Sequence, residues 1–114
     1  MTSPDKFDEW ICRIRSSNAG IYEDAYWSDR PQGPDVVPRL IAELGEAPDG
    51  YTRGKLLELL GEMGDPSVIP ILAQELDHMD TQVRQWAICA LTQLALPESL
   101  TLVQAYKKAH PDEV

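Results

Sequence analysis

Three features of this 114-residue chain predict an all-α fold, a short solenoid of stacked antiparallel helix pairs with an N-terminal capping helix. The run VVPRLIAELGEAPDGYTRGKLLELLGEMGDPSV, Val36 to Val68, is matched in pattern by VIPILAQELDHMDTQVRQWAICALTQLALPESL, Val68 to Leu100. Inside each unit apolar residues recur at three- and four-residue steps, as in Val83, Ala87, Ala90, Leu91 and Leu94. That is the spacing of one helix face and not of a strand. Finally, a repeat of about thirty residues made of two helices cannot bury both apolar faces alone, so neighbours must stack and share a core.

The first helix starts at Ser3, Pro4 and Asp5 and carries Phe7, Trp10, Ile11 and Ile14 on one apolar face, which suits a cap on the stack. The stretch SSNAGIYEDAYWSDRPQGP follows. Asn18, Gly20, Pro31, Gly33 and Pro34 mark its turns around an acidic and aromatic centre of Tyr22, Glu23, Asp24, Tyr26, Trp27 and Asp29, read as a short irregular helix with a loop. Its aromatics admit two readings, a docking site or a cover for the first repeat's core.

From Pro34 the repeat is legible residue by residue. A shift of 31 sets Arg53 on Arg84, Leu56 on Ala87, Leu57 on Ile88, Leu60 on Leu91, Met63 on Leu94 and Pro66 on Pro97. Upstream the shift is 32, with Val37 on Ile69, Pro38 on Pro70, Leu40 on Leu72 and Leu44 on Leu76, so one residue is inserted in the intervening loop. Asp35, Asp65 and Glu98 stand near helix starts beside prolines, and Gly45, Gly61 and Gly64 near ends. These signals predict helices at 35–44, 51–63, 66–78, 80–95 and 97–109. The core is expected to join Leu56, Leu60, Ile69, Leu72, Leu76, Val83, Ala87, Leu91, Leu94 and Leu100. The organisation is one domain: cap and acidic aromatic loop at 1–33, repeats at 34–64 and 65–96, and a partial repeat at 97–114 whose end, with Lys107, Lys108 and His110, closes the stack.

Nineteen acidic against ten basic side chains give a formal charge of −9, which opposes binding to a phosphate backbone and favours a partner with a basic surface or cleft. No basic stretch with an apolar run follows Met1, and no apolar segment approaches the ~20 residues of a membrane span, so a cytoplasmic location is expected. Cys12 and Cys89 lack metal-ligand spacing and are read as reduced thiols. Catalytic equipment is sparse. His78 and His110 are isolated, there is no His-Glu-x-x-His and no Gly-rich phosphate loop, and Glu58 and Glu62, one turn apart, read as solvated acids. A non-catalytic protein needing no cofactor is the expectation.

The runs LLELLGEMGDPSVIPILAQEL and DTQVRQWAICALTQLALPESL resemble HEAT-like repeats of the short bacterial type, over Pro34 to about Ala109. Asp80, Val83, Arg84, Ala87, Ala90 and Leu91 with GDPSVIP carry the resemblance. It implies an Asp–Arg ladder, Asp80 with Arg84 and Asp49 with Arg53, and a concave side lined by the second helix of each unit. The first unit departs from the pattern at Thr52 and Gly54. Outward positions on the concave side would be Tyr51, Lys55, Glu58 and Glu62, then Gln82, Trp86, Cys89 and Gln93, with Tyr26 and Trp27 as a second contact. Trp86 is read either as aromatic area for a partner or as a core edge over Lys55 or the neighbouring helix. Small acidic HEAT-like proteins resemble immunity proteins that neutralise a bacterial toxin. The alternatives are an accessory subunit similar to phycobilin lyases or a general scaffold, with a nucleic-acid role a distant third.

Overall fold

The computed structural model describes residues 5–27, 30–47 and 49–113 and separates into two compact units, Met1–Arg39 and Leu40–Val114. Seven α-helices and no strand occur among the described residues, and no helix there is long and apolar enough to cross a membrane. The expected start signal at Ser3 and Pro4, and Asp29 of the acidic stretch, lie outside the described residues.

In the first unit, α1 (Lys6–Ile14) begins with a reciprocal cap: the Asp5 carboxylate accepts the Asp8 N–H at 2.9 Å, and the Asp8 carboxylate accepts the Asp5 N–H at 3.2 Å. Phe7, Trp10, Ile11 and Ile14 are buried together, as their spacing predicts. They pack against α2 (Ala19–Trp27), where the Trp10 indole N–H donates to the Ala25 carbonyl at 2.8 Å. A buried indole N–H without such a partner would carry the full cost of its lost water.

Arg39, on α3 (Val36–Glu46), ties the chain back to α1. Its guanidinium bonds Asp5 at 2.6 Å and Asp8 at 2.9 Å and lies 4.2 Å from the Phe7 ring centre. The Arg39 hydrogen bond, helped by the Asp8 N–H, brings the Asp5 carboxyl down to about 2. A folded pKa below the ordinary value means the contribution is present above about pH 4 and is lost as pH falls towards 2. Asp5→Asn should therefore flatten the acid limb of the first unit's stability between those pH values, as read by Trp fluorescence in an acid titration.

The second unit is built around α4 (Gly50–Met63), which Asp49 caps by accepting the Thr52 N–H at 2.7 Å and Gly64 ends at φ 71°, a left-handed conformation that glycine adopts without strain. The single helix expected at 66–78 is in fact a 3-10 turn, Pro66–Val68, followed by α5 (Ile69–Glu75). Pro70 is the reason. It has no N–H for the Pro66 carbonyl four residues back, and the Ile69 N–H bonds that oxygen instead. α6 (Thr81–Leu94) starts on Asp80, whose carboxylate accepts the Gln82 N–H at 2.9 Å, and ends at Ala95 with φ 53°. α7 (Pro97–Ala109) and a 3-10 turn, Pro111–Glu113, complete it.

Helix α6 packs against α4, α5 and α7, and the expected core residues from Leu56 to Leu94 are buried. Leu100 departs from that expectation. It is 37% exposed, because α7 turns Ser99, Val103 and Tyr106 inward, one residue earlier in register. Ser99 fixes the rotation: its hydroxyl, wholly buried, accepts the Leu96 N–H at 3.0 Å and donates to the Leu96 carbonyl at 2.9 Å.

Candidate functional site

Helix α4 is buried on nearly every side. With 3.6 residues per turn, Tyr51, Lys55, Glu58 and Glu62 fall on one narrow stripe of α4, which includes its most exposed residue, Tyr51. Tyr51 is 62% exposed, and Glu58 and Glu62 are half-buried. Lys55 is a correction to the expected contact set. Only 4% of it is exposed, so its stem is packed away, with the ammonium 4.2 Å from the Tyr51 ring centre.

The matching stripe on α6 holds Gln82, Cys89 and Gln93, all exposed, and Trp86, half-buried. What sets the two helices side by side is a pair of glycines, Gly54, read above as a departure from the repeat pattern, and Gly61, read above as lying near a helix end. A Cβ on Gly54 would lie 2.5 Å from the Trp86 ring, so the indole rests on the bare backbone of α4. A Cβ on Gly61 would lie 2.8 Å from the Ala90 Cα and 2.9 Å from its carbonyl oxygen, so the two backbones themselves meet there. Gly61 thus lies near the end of α4, as expected, and is a packing residue there as well. The reading of Trp86 as a core edge over the neighbouring helix is nearer the geometry, and the residue it covers there is Gly54. Two glycines seven residues apart within one helix are the signal, since each costs about 1 kcal/mol of helix propensity and requires a compensating close approach.

The implied ladder has different partners. Asp49 and Asp80 spend their carboxylates on the N–H groups of Thr52 and Gln82, and the first of these bonds holds the Asp49 carboxyl below its usual range. Arg53 instead crosses to the next unit, where its Nε and Nη2 donate to the Glu75 carboxylate at 2.7 and 2.5 Å and its Nη1 to the Leu44 carbonyl at 2.8 Å. Arg84 repeats the reach: its Nε donates across the same 22 residues to the Tyr106 hydroxyl, and its Nη2 to Glu113. The shift of 31 sets Tyr106 on Glu75, so the missing carboxylate is supplied by the last turn. The Tyr106 hydroxyl and Arg84 both donate to Glu113 and keep its carboxyl below the ordinary range. An aspartate four residues before an arginine reads as a pair on one face, but the cap wins because the Asp backbone is extended and its oxygen lies over the first free N–H groups.

Glu75 is 6% exposed, and truncating its partner strands a carboxylate. Arg53→Ala should lower stability by about 1–3 kcal/mol in urea unfolding, and Arg53→Met with Glu75→Leu should recover most of it.

In the first unit the two expected contacts divide. Tyr26 is 4% exposed and so lies off the open surface, whereas Trp27 is 73% exposed. Both cysteines are free and exposed, and among the described residues no group of three or more His, Cys, Asp or Glu is arranged to hold a metal ion.

A family model described as HEAT repeats matches residues 37–114, well over half of the chain, and so covers α4, α5, α6 and α7. No curated protein and no solved structure matches it. HEAT repeats generally mediate protein–protein interaction, and their helical pairs stacked in series are the architecture of the second unit. From the match and the arrangement of α4 to α7, the chain belongs to the HEAT repeat family.

Proposed function

We propose that the protein is a stoichiometric binder whose α4–α6 stripe covers a basic cleft on a partner protein, in the manner of a small immunity protein that neutralises a toxin. The observation that carries this reading is the make-up of the stripe. Tyr51, Glu58 and Glu62 emerge from a largely buried helix beside the uncharged Gln82, Cys89 and Gln93. Glu58 and Glu62 are the carboxylates of the stripe, and Tyr51 its aromatic anchor, a role expected earlier of Trp86.

Such a surface attracts a basic cleft over the distance of a Debye length and grips it with one aromatic ring. Glu58→Lys with Glu62→Lys should slow association with the partner about tenfold or more at low salt, with the difference shrinking as salt is raised. Tyr51→Ala should chiefly speed dissociation. Surface plasmon resonance against the protein recovered with the chain from its own cells tests both. Unchanged rates in all three variants would remove the stripe from the contact.

A further inference from the structure

We propose that the open side of α2 is a separate binding surface and that it takes an arginine-rich peptide segment. Down that side Ile21, Asp24 and Trp27 follow one another at steps of three, with Glu23 beside Trp27. All four are exposed, Ile21 by 44% and Trp27 by 73%, while Ala25 and Tyr26 anchor the opposite side in the first unit. The indole is nevertheless held. Its ring centre lies 4.9 Å from that of Tyr26, at 73° to it, and the Tyr26 ring is buried and packs in turn on Tyr22 at 5.7 Å. An aromatic side chain already steadied by a buried neighbour loses little freedom when a ligand covers it, which is the property of an interface anchor.

Three features choose the ligand. The carboxylates of Glu23 and Asp24 stand on the same side as the indole. Trp27 is the last residue of α2, where the helix dipole is negative. The third is an internal precedent: the Arg30 Nε donates to the Tyr26 carbonyl at 2.6 Å, and its guanidinium lies 4.7 Å from the Tyr26 ring centre. One guanidinium thus already sits on this aromatic cluster, bonded and stacked at once. A ligand arginine on Trp27 would repeat the arrangement. Arginine is favoured over lysine because a planar guanidinium stacks on an indole while keeping its N–H groups for carboxylates. The inference stands on the first unit alone and does not depend on the α4–α6 stripe.

The test is a calorimetric titration at low salt with the synthetic peptide Arg-Arg-Leu-Arg-Arg-Leu-Arg and its lysine counterpart, with the Trp27 indole N–H followed by NMR. The arginine peptide should bind several-fold tighter than the lysine one and shift the Trp27 signal. Trp27→Ala should weaken it about tenfold or more. Glu23→Lys with Asp24→Lys should do the same, and this pair carries the test if Trp27→Ala fails to fold. Asp77→Lys with Glu98→Lys, two exposed acids outside both surfaces, changes the net charge equally and should leave the affinity within about twofold, as local contact and not bulk charge requires. Equal weakening by both pairs, an unmoved Trp27 signal, or equal binding of the two peptides would overturn the proposal. Each of those results leaves the α4–α6 stripe standing, because that stripe is read by its own partner and its own variants.

Discussion

Gly61→Val will be the most damaging single change to the second unit. The added Cβ would stand 2.8 Å from the Ala90 Cα and 2.9 Å from the Ala90 carbonyl oxygen, and two of its three nearest neighbours are backbone atoms that no rotamer change can move. Helices α4 and α6 must separate to admit it. In an open helix, replacing glycine by alanine gains roughly 0.5–1 kcal/mol. Here overpacking reverses the sign, so Gly61→Ala should lose about 1–3 kcal/mol and Gly61→Val more. Gly54→Ala is the informative comparison, for its added methyl meets only the Trp86 ring, which can swing outward. It should cost less, and Trp86→Ala should relieve it, whereas no truncation at Trp86 should relieve Gly61→Val. Urea unfolding by far-UV circular dichroism measures these variants and the two combinations with Trp86→Ala, and a neutral Gly61→Ala would mean that the helices are farther apart than described.

Leu91→Ala is expected to cost about 2–5 kcal/mol, the usual range for emptying a fully buried leucine site. Leu91 sits on α6, which packs against α4, α5 and α7, so a void there is bordered by several elements and is hard to close by the movement of any one. Leu100→Ala is the control on α7, at 37% exposure, and should cost well under half as much. Equal losses at the two positions would mean that α7 is rotated and that Ser99 does not face inward.

The helical repeat was legible because its information is local. Apolar steps of three and four, Asp before a helix and Gly after one each act within a turn or two, and the chain states them twice. The bounds of α4, α6 and α7 follow within a residue or so. What escaped depends on groups brought together from far along the chain. Glu75 meets Arg53 across 22 residues and Glu113 meets Arg84 across 29, and no spacing rule marks either acid. Lys55 looked like a surface cation, but its stem lies in the core with the charge against Tyr51. Gly54 looked like a flaw in the first repeat until Trp86 was found lying on it. Leu100 misled for a smaller reason, since Ser99 is polar and yet buries itself by bonding the backbone of its own cap.

The candidate stripe was legible only in part. Its register followed from the core, so Tyr51, Glu58, Glu62, Gln82, Cys89 and Gln93 share one side of their helices. Which of the aromatics would stand open did not follow. Tyr51, Tyr26, Trp27 and Trp86 are alike in composition, and only packing separates the exposed pair, Tyr51 and Trp27, from the others.

That the α4–α6 stripe is the surface a basic partner covers is tested most directly by crosslinking from within it. Cys89 is exposed at its middle, and in a Cys12→Ser background it can carry a benzophenone group as the chain's one thiol. A second protein, with Cys12→Ser, Cys89→Ser and Gln74→Cys, carries the same group on the exposed part of α5. Irradiation with the partner should give an adduct from Cys89 whose peptide, identified by mass spectrometry, is rich in lysine and arginine, and Glu58→Lys with Glu62→Lys should abolish it. An adduct that forms as readily from position 74, or that joins Cys89 to an acidic surface, would contradict the assignment.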